Sequence, residues 1–215
     1  MSKIIKGSCE ATENLKKLVD MVSKSTSTVL LRGETGCGKD VVARAIHESS
    51  SRKGKLVNVN CAAIPSELLE SELFGHEKGA FTGADNRREG RFEISHQGTL
   101  FLDEIGDMPM SLQAKLLRAI ETRRIQRVGG KDEIELDLRL VCATHQNIEK
   151  KIEEGSFRAD LFYRINVFPI EIPTLAERKD DIPELLDHIL TEIKDSGSKI
   201  PKFDNSSLNA LKDYI

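Results

Sequence analysis

The stretch Gly33-Glu34-Thr35-Gly36-Cys37-Gly38-Lys39-Asp40 limits what this chain can fold into more than any other part of it. It lies between an apolar run, Thr28-Val29-Leu30-Leu31, and an amphipathic one, Val41 to Ile46, and so reads as the turn between a strand and a helix. The spacing G-x-x-x-x-G-K is that of a phosphate cradle. Amides of a tight turn and of the first helical turn point at anionic oxygens, and the lysine ammonium reaches the terminal phosphates. Such loops usually follow the lysine with a Ser or Thr hydroxyl for magnesium. Here Asp40 stands in that place, so either the metal is held differently or the loop belongs to a subgroup with a carboxylate there.

The chain is 215 residues long, room for one large domain or for one domain and part of another, and its 39% hydrophobic content supports a core. A formal charge of -3 excludes the global basic field that drives nonspecific nucleic-acid binding. Cys9, Cys37, Cys61 and Cys142 are scattered with no C-x-x-C pair and read as cytosolic thiols. No apolar run approaches a membrane span and the N-terminus lacks the apolar core of a signal peptide, so a cytoplasmic protein with no membrane association is expected.

Taken in order, residues 10–24 have the period of an amphipathic helix, and Leu56 to Asn60 alternate as a strand. A helix opening near Pro65 is expected to turn Leu68, Leu69 and Leu73 inward. Gly79-Ala80-Phe81-Thr82-Gly83-Ala84 is a small-residue loop with one aromatic, and two readings stand side by side: a contact loop for a partner, or a loop whose Phe81 folds back onto the core. Gly98 to Glu104 is an apolar strand ending in two acids. In a parallel sheet those carboxylates meet the glycine-rich turn, Asp103 towards magnesium and Glu104 towards an attacking water. A helix over 111–122, a hairpin around Gly129-Gly130 and a buried strand over 138–143 follow, with Thr144 and His145 at the strand's C-terminal end, placed to bond a terminal phosphate. Two short helices are expected at 148–154 and 157–165. The second carries Arg158 and Arg164, about 9 Å apart along its axis and on different faces; without further context they read as surface arginines paired with acids such as Asp160, and they reach one phosphate of a neighbouring subunit only if the helix end points at it. Val167 to Ile172 is a last strand, marked as an edge by Pro169. After Thr174 the pattern is helical, and the chain stops with its last helix still in register, as a truncated helical lid would.

These residues together resemble the central AAA+ ATPase domain of bacterial enhancer-binding proteins, the activators of sigma-54 RNA polymerase. The resemblance rests on GETGCGKD, on ESELFGHEKGAFTGA (Glu70 to Ala84), on GTLFLDEIGDMP (Gly98 to Pro109), on FRADLFYRINVFPI and on ERKDDI. GAFTGA is the most specific of them. The resemblance implies a P-loop NTPase (AAA+) fold of class α/β, a parallel sheet flanked by helices over residues 1–173, followed by an incomplete all-helical lid over 174–215. It implies that ATP, with Mg2+, is held by Gly33, Glu34, Thr35, Gly36, Cys37, Gly38, Lys39 and Asp40, and that Thr144-His145 is the sensor position. Asp103 takes the metal-binding place of the Walker B pair and Glu104 the catalytic one. Asn60 matches the asparagine that holds that glutamate while the site is not competent, and Arg158 and Arg164 match arginine fingers entering the neighbour's site in a hexameric ring. Gly79, Ala80, Phe81, Thr82, Gly83 and Ala84 match the loop that contacts the sigma factor, and DNA is reached only through a domain absent from this chain. Three departures stand out. Cys37 replaces a threonine, with oxidation sensitivity as a consequence to be expected, Ala176 replaces an arginine, and the segment carrying the lid's sensor II arginine lies beyond the last residue. A different AAA+ machine, or a nucleotide-dependent assembly module without turnover, are the rival readings. GAFTGA argues against the first, the acidic pair and both arginines against the second.

Overall fold

The protein is described by a computed structural model over residues 4–195 and 205–214; Ile215, the last residue of the expected final helix, lies outside them. The first helix, α1 (Glu10–Ser23), turns Leu15, Val19 and Val22 inward at the spacing read from the sequence. β1 (Val29–Arg32) runs through the glycine-rich turn into α2 (Lys39–Glu48). β2 (Leu56–Asn60) and α3 (Ser66–Phe74) lead to a short antiparallel ladder of β3 (Gly75–His76) with β4 (Arg88–Glu89), and then to α4 (Arg91–Ile94). β5 (Thr99–Asp103) passes through a 3-10 turn at Ile105–Asp107 into α5 (Met110–Thr122) and the hairpin of β6 (Arg124–Ile125) and β7 (Ile134–Glu135). β8 (Arg139–Thr144), α6 (Ile148–Glu153), α7 (Ala159–Ile165) and β9 (Phe168–Glu171) follow. A 3-10 segment, Ala176–Asp181, then opens α8 (Ile182–Asp195), and α9 (Asn205–Tyr214) comes last.

The five long strands form one parallel sheet in the order β2-β5-β8-β1-β9. Both faces are covered, which is why the strands read as continuous apolar runs. Successive side chains alternate between two cores. Leu30, Leu100, Leu102, Leu140 and Cys142 face the one closed by α3, α5 and α7, while Val29, Leu31, Phe101, Val141 and Ala143 face the one closed by α1 and α2. β9 is an edge strand, as its proline suggested, and pairs with β1 alone. Among the described residues no helix is long and apolar enough to cross a membrane.

Two expectations fail locally. Leu68 is 51% exposed. Leu69 and Leu73, one helical turn apart, take the inward stripe of α3, and Leu68 lies about 100° round the helix from Leu69. Arg158 is not a helical residue: it is the N-cap of α7, with extended dihedrals of φ -81° and ψ 128°, so the helical separation expected for Arg158 and Arg164 does not apply. Phe157 before it is buried in the core and sets that boundary.

Candidate active site

Because all five strands run the same way, their C-terminal ends share one edge of the sheet. Register brings specific residues together there: Asn60 lies opposite Asp103, and Arg32, which precedes the glycine-rich turn, lies opposite Thr144. The turn needs left-handed backbone at Gly36 (φ +83°) and Gly38 (φ +96°), and Gly38 is the N-cap of α2, so the free amides of the first helical turn face the loop.

Lys39 is buried under this loop. Its ammonium donates to the carbonyls of Gly33 (3.1 Å) and Glu34 (3.2 Å) and lies 3.3 Å from Glu104 Oε1. Glu104 sits just past β5 in left-handed backbone (φ 51°), which swings its carboxylate away from the strand line. Its second oxygen, Oε2, is 2.7 Å from His145 Nδ1 and accepts from the His145 amide at 3.2 Å. Burial pushes the Glu104 carboxyl up, but the two His145 bonds and the Lys39 charge outweigh it and hold it below the ordinary glutamate value. Asp103 goes the other way: burial and the neighbouring Glu104 charge raise it, although it accepts the Glu104 amide at 3.0 Å. Asp40 is exposed at the start of α2, and its charge also bears on Asp103.

The sensor and switch positions behave differently from their expected roles. His145 bonds Glu104 rather than standing free for a phosphate. Thr144 is buried, and its Oγ1 accepts the Gln146 amide at 3.0 Å, leaving its hydroxyl hydrogen as the available donor. Asn60 does not hold Glu104. Its Oδ1 caps the turn after β2 by accepting the amides of Ala62 and Ala63, and its Nδ2 points at Asp103 Oδ2, 3.5 Å away. The reason is register: β2 pairs with β5 so that Asn60 faces Asp103, while the left-handed turn at Glu104 carries the next carboxylate across to β8.

Cys37 folds under the loop against the backbone of Gly33 and is buried. Burial raises its thiol, against the opposing charges of Lys39 and Arg178, which works against the thiolate that oxidation needs.

The two arginines lie apart from this cluster. Arg158 makes a two-pronged ion pair with Asp160 (2.7 and 3.0 Å), and its amide donates to Gln113 Oε1. Arg164 is exposed on α7 beside Tyr163, which is 76% exposed, and among the described residues no carboxylate pairs with it. Neither guanidinium bonds the glycine-rich turn or the acidic pair within the described chain.

The 79–84 loop stands away from the sheet. Gly79 and Gly83 adopt φ of +80° and +96°, and the loop closes with the Gly79 amide donating to the Ala84 carbonyl at 2.9 Å. Phe81 does not fold back into the core. It remains 42% exposed at the tip, its ring edge-on to His76 with centroids 5.0 Å apart. The root of the loop is fixed to the β6-β7 hairpin: the Glu77 amide donates to Val128, the Val128 amide to Gly75, and Arg127 bridges Glu77 and Glu93.

Residues 5–171 match the family model of the sigma-54 interaction domain. This chain belongs to that family. A DNA-binding transcriptional activator, HyfR of Escherichia coli (strain K12), is 58% identical over 180 residues, 83% of this chain and 27% of HyfR. Among solved structures, NtrX from Brucella abortus in complex with ADP superposes with a TM-score of 0.88 at 38% identity, covering 96% of this chain and 45% of that one. The P-loop NTPase domain of the sigma-54 transport activator from E. coli shares the fold, with a TM-score of 0.52 at 18% identity. The chain thus has the fold of that P-loop NTPase domain, and it spans about a quarter of the length of HyfR and about half that of NtrX.

One part of this domain's site has no motif to announce it. Ile4, Ile5, Gly36, Val41, Ile172 and Leu186 line part of a mainly apolar cavity of about 390 Å³ at the mouth of the glycine-rich turn, closed from the far side by α8. An apolar slot next to a phosphate cradle is the shape a nucleoside base fills. Its residues come from both ends of the chain, and only the helical stripe of α8 was visible beforehand as an apolar surface.

Proposed function

We propose that this domain binds ATP with magnesium at the Gly33–Asp40 loop, hydrolyses it, and uses the cycle to drive the 79–84 loop against sigma-54. The observation that carries the reading is the Lys39–Glu104 contact of 3.3 Å beneath the loop, which joins the phosphate-binding cation to the acid that would activate water. Incoming phosphate oxygens compete for the Lys39 ammonium. Glu104 Oε1 is then released to take a proton from water, while Oε2 stays on His145, which fixes the carboxylate's direction. A base held by one oxygen and free at the other is oriented without being blocked.

Magnesium fits the donor set. Asp103 offers a hard oxygen ligand at the strand end, its carboxyl raised by burial and by the neighbouring Glu104 charge, with the Asp40 charge also bearing on it. Among the described residues no three His, Cys, Asp or Glu side chains converge to hold an ion by themselves, which suits an ion bound mainly by phosphates, waters and one or two carboxylates. When bound, magnesium would neutralise charge on the phosphates. Arg158 and Arg164, neither of which bonds its own chain's glycine-rich turn among the described residues, are read as fingers for a neighbouring subunit in a ring, which makes the isolated subunit a slow ATPase.

The loop half of the reading rests on Phe81 and Thr82, both exposed at the tip of a loop whose root is rigid. Thr82→Ala is expected to leave ATP turnover within about twofold of wild type, since the loop stands outside the reacting site, while abolishing retention on sigma-54 in the presence of an ATP transition-state analogue. Retention of both activities would remove the loop assignment, and turnover without any sigma-54 contact by the wild-type domain would favour a different AAA+ machine. His145→Ala is expected to lower kcat about tenfold, equivalent to ~1.4 kcal/mol of transition-state positioning, with nucleotide affinity little changed. An unaltered kcat would show that Glu104 needs no such anchor.

A further inference from the structure

Gly7, Ser8 and Cys9 converge on one carboxylate that arrives from the other end of the chain. Asp181, the last residue of the Ala176–Asp181 segment, is buried to 1% exposure, yet it belongs to none of the sequence motifs that bind phosphate or catalyse. Its Oδ1 accepts the amides of Ser8 (2.7 Å) and Cys9 (2.8 Å), and its Oδ2 accepts the Thr12 hydroxyl (2.5 Å) and the Cys9 thiol (3.1 Å). Cys9 is the N-cap of α1 and makes no side-chain cap of its own, so Asp181 supplies from outside the acceptor that a helix N-terminus needs. Gly7 is required for the approach. It has φ +117°, and a Cβ there would overlap the Asp181 carboxylate.

The same short segment reaches the phosphate loop. Arg178, in non-helical backbone (φ -133°, ψ 41°), donates through Nη2 to the Cys37 carbonyl at 2.9 Å. Ala176–Asp181 therefore ties together the N-terminal segment, the glycine-rich turn and the start of α8. Those are the three sides of the apolar cavity beside the turn, and Ile4, Ile5 and Lys6, which form one wall of it, come immediately before the residues that Asp181 grips. Ile5 is buried at 4% exposure, and the chain that follows it is held by this clasp and by the Lys16 ammonium on the Gly7 carbonyl.

We propose that Asp181 is the positioning residue of the nucleoside pocket: by clamping Gly7 to Thr12 against the Ala176–Asp181 segment it fixes Ile4, Ile5 and Lys6 as the pocket wall, without touching nucleotide itself. The inference rests on the reading of this site as an adenine-nucleotide site. Burial alone would raise the Asp181 carboxyl, but the Thr12, Cys9 and Ser8 donors outweigh it and hold it below the ordinary aspartate value, so the clasp is charged at neutral pH. Any change in the path of the chain entering at Ile4 is then felt first as a change in nucleotide affinity.

The test titrates a fluorescent ADP analogue into the full chain and into Asp181→Ala, and measures KM and kcat for ATP alongside. Asp181→Ala is expected to raise Kd and KM about tenfold while kcat at saturating ATP stays within about twofold, since the wall and not the reacting end is disturbed. Asp181→Asn, which keeps the two amide bonds, is expected to lie between wild type and the alanine variant. Should Asp181→Ala fail to fold, Thr12→Val and Gly7→Ala load the same clasp from its other side and are expected to raise Kd in the same direction. Unchanged Kd in Thr12→Val and Gly7→Ala, or a loss of kcat with Kd unaltered in Asp181→Ala, overturns the proposal. Failure of the wild-type chain to bind the analogue at all is a separate outcome: it removes the nucleotide reading, and the pocket assignment with it, before any variant is compared.

Discussion

Glu104→Gln is expected to bind ATP and fail to cleave it. The glutamine keeps an acceptor for the His145 amide and nearly the same volume, so the turn at φ 51° has no reason to rearrange. Two things are lost: the oxygen that accepts a proton from water, and the negative charge that engages Lys39 at 3.3 Å in the absence of phosphate. Removing a positioned general base lowers the rate by about 10²- to 10⁴-fold. Removing the competing carboxylate leaves the Lys39 ammonium freer for phosphate oxygens, so nucleotide affinity is expected to hold or tighten. Single-turnover phosphate release and nucleotide titration separate the two effects. Turnover equal to wild type would take the role of base away from Glu104, and a loss of binding with normal chemistry would reassign it to nucleotide retention.

Arg164→Ala is expected to cost more. An arginine supplied by a neighbour to an NTPase site is worth about 10³- to 10⁵-fold in rate. Arg164 is placed for that role: it is exposed beside Tyr163 and close in sequence to Val167, itself 56% exposed, and no carboxylate among the described residues neutralises it. Arg158 stands differently. It is paired with Asp160 at the surface, where solvent screening leaves such a pair too weak to keep the guanidinium from a phosphate. Arg158→Ala is therefore expected to reduce hydrolysis as well, though its amide bond to Gln113 would survive the substitution. Mixing decides whether the finger acts between subunits. An Arg164→Ala chain keeps an intact Lys39 site and a Lys39→Ala chain keeps an intact Arg164, so the mixture is expected to recover part of the hydrolysis that each alone lacks. No recovery in mixtures that still assemble would place Arg164 in its own chain's site.

The parts of the site that were legible in the sequence are those in which function and local geometry share the same few residues. A phosphate cradle is made by consecutive amides, so GETGCGKD announces itself, and the strand from Leu56 to Asn60 was bounded to the residue because its alternation is local. The 79–84 loop was legible as a shape, two glycines around one aromatic, but whether Phe81 folded inward depended on whether the neighbouring surface offered it a cavity. It offers only the edge of His76. Arg158 was misplaced because Phe157, buried in the core in a way helical periodicity does not show, leaves α7 to begin at Ala159, two residues later than the pattern suggested.

By itself the sequence determined the kind of fold and the kind of chemistry: apolar strands with period two, amphipathic helices, a cradle with its lysine, and an acidic pair at a strand end. Only the tertiary structure decided which partner each functional group meets. Glu104 is held by His145 instead of Asn60 because β5 lies between β2 and β8, and the left-handed turn after Asp103 aims the second carboxylate toward β8. Asp181 caps a helix 172 residues before it in the chain, through its bond to the Cys9 amide. Side-chain periodicity reports only which face of its own element a residue occupies. The order of strands in the sheet and the closure of the two chain ends on each other are set by the burial of both sheet faces at once, and that is a property of the whole chain.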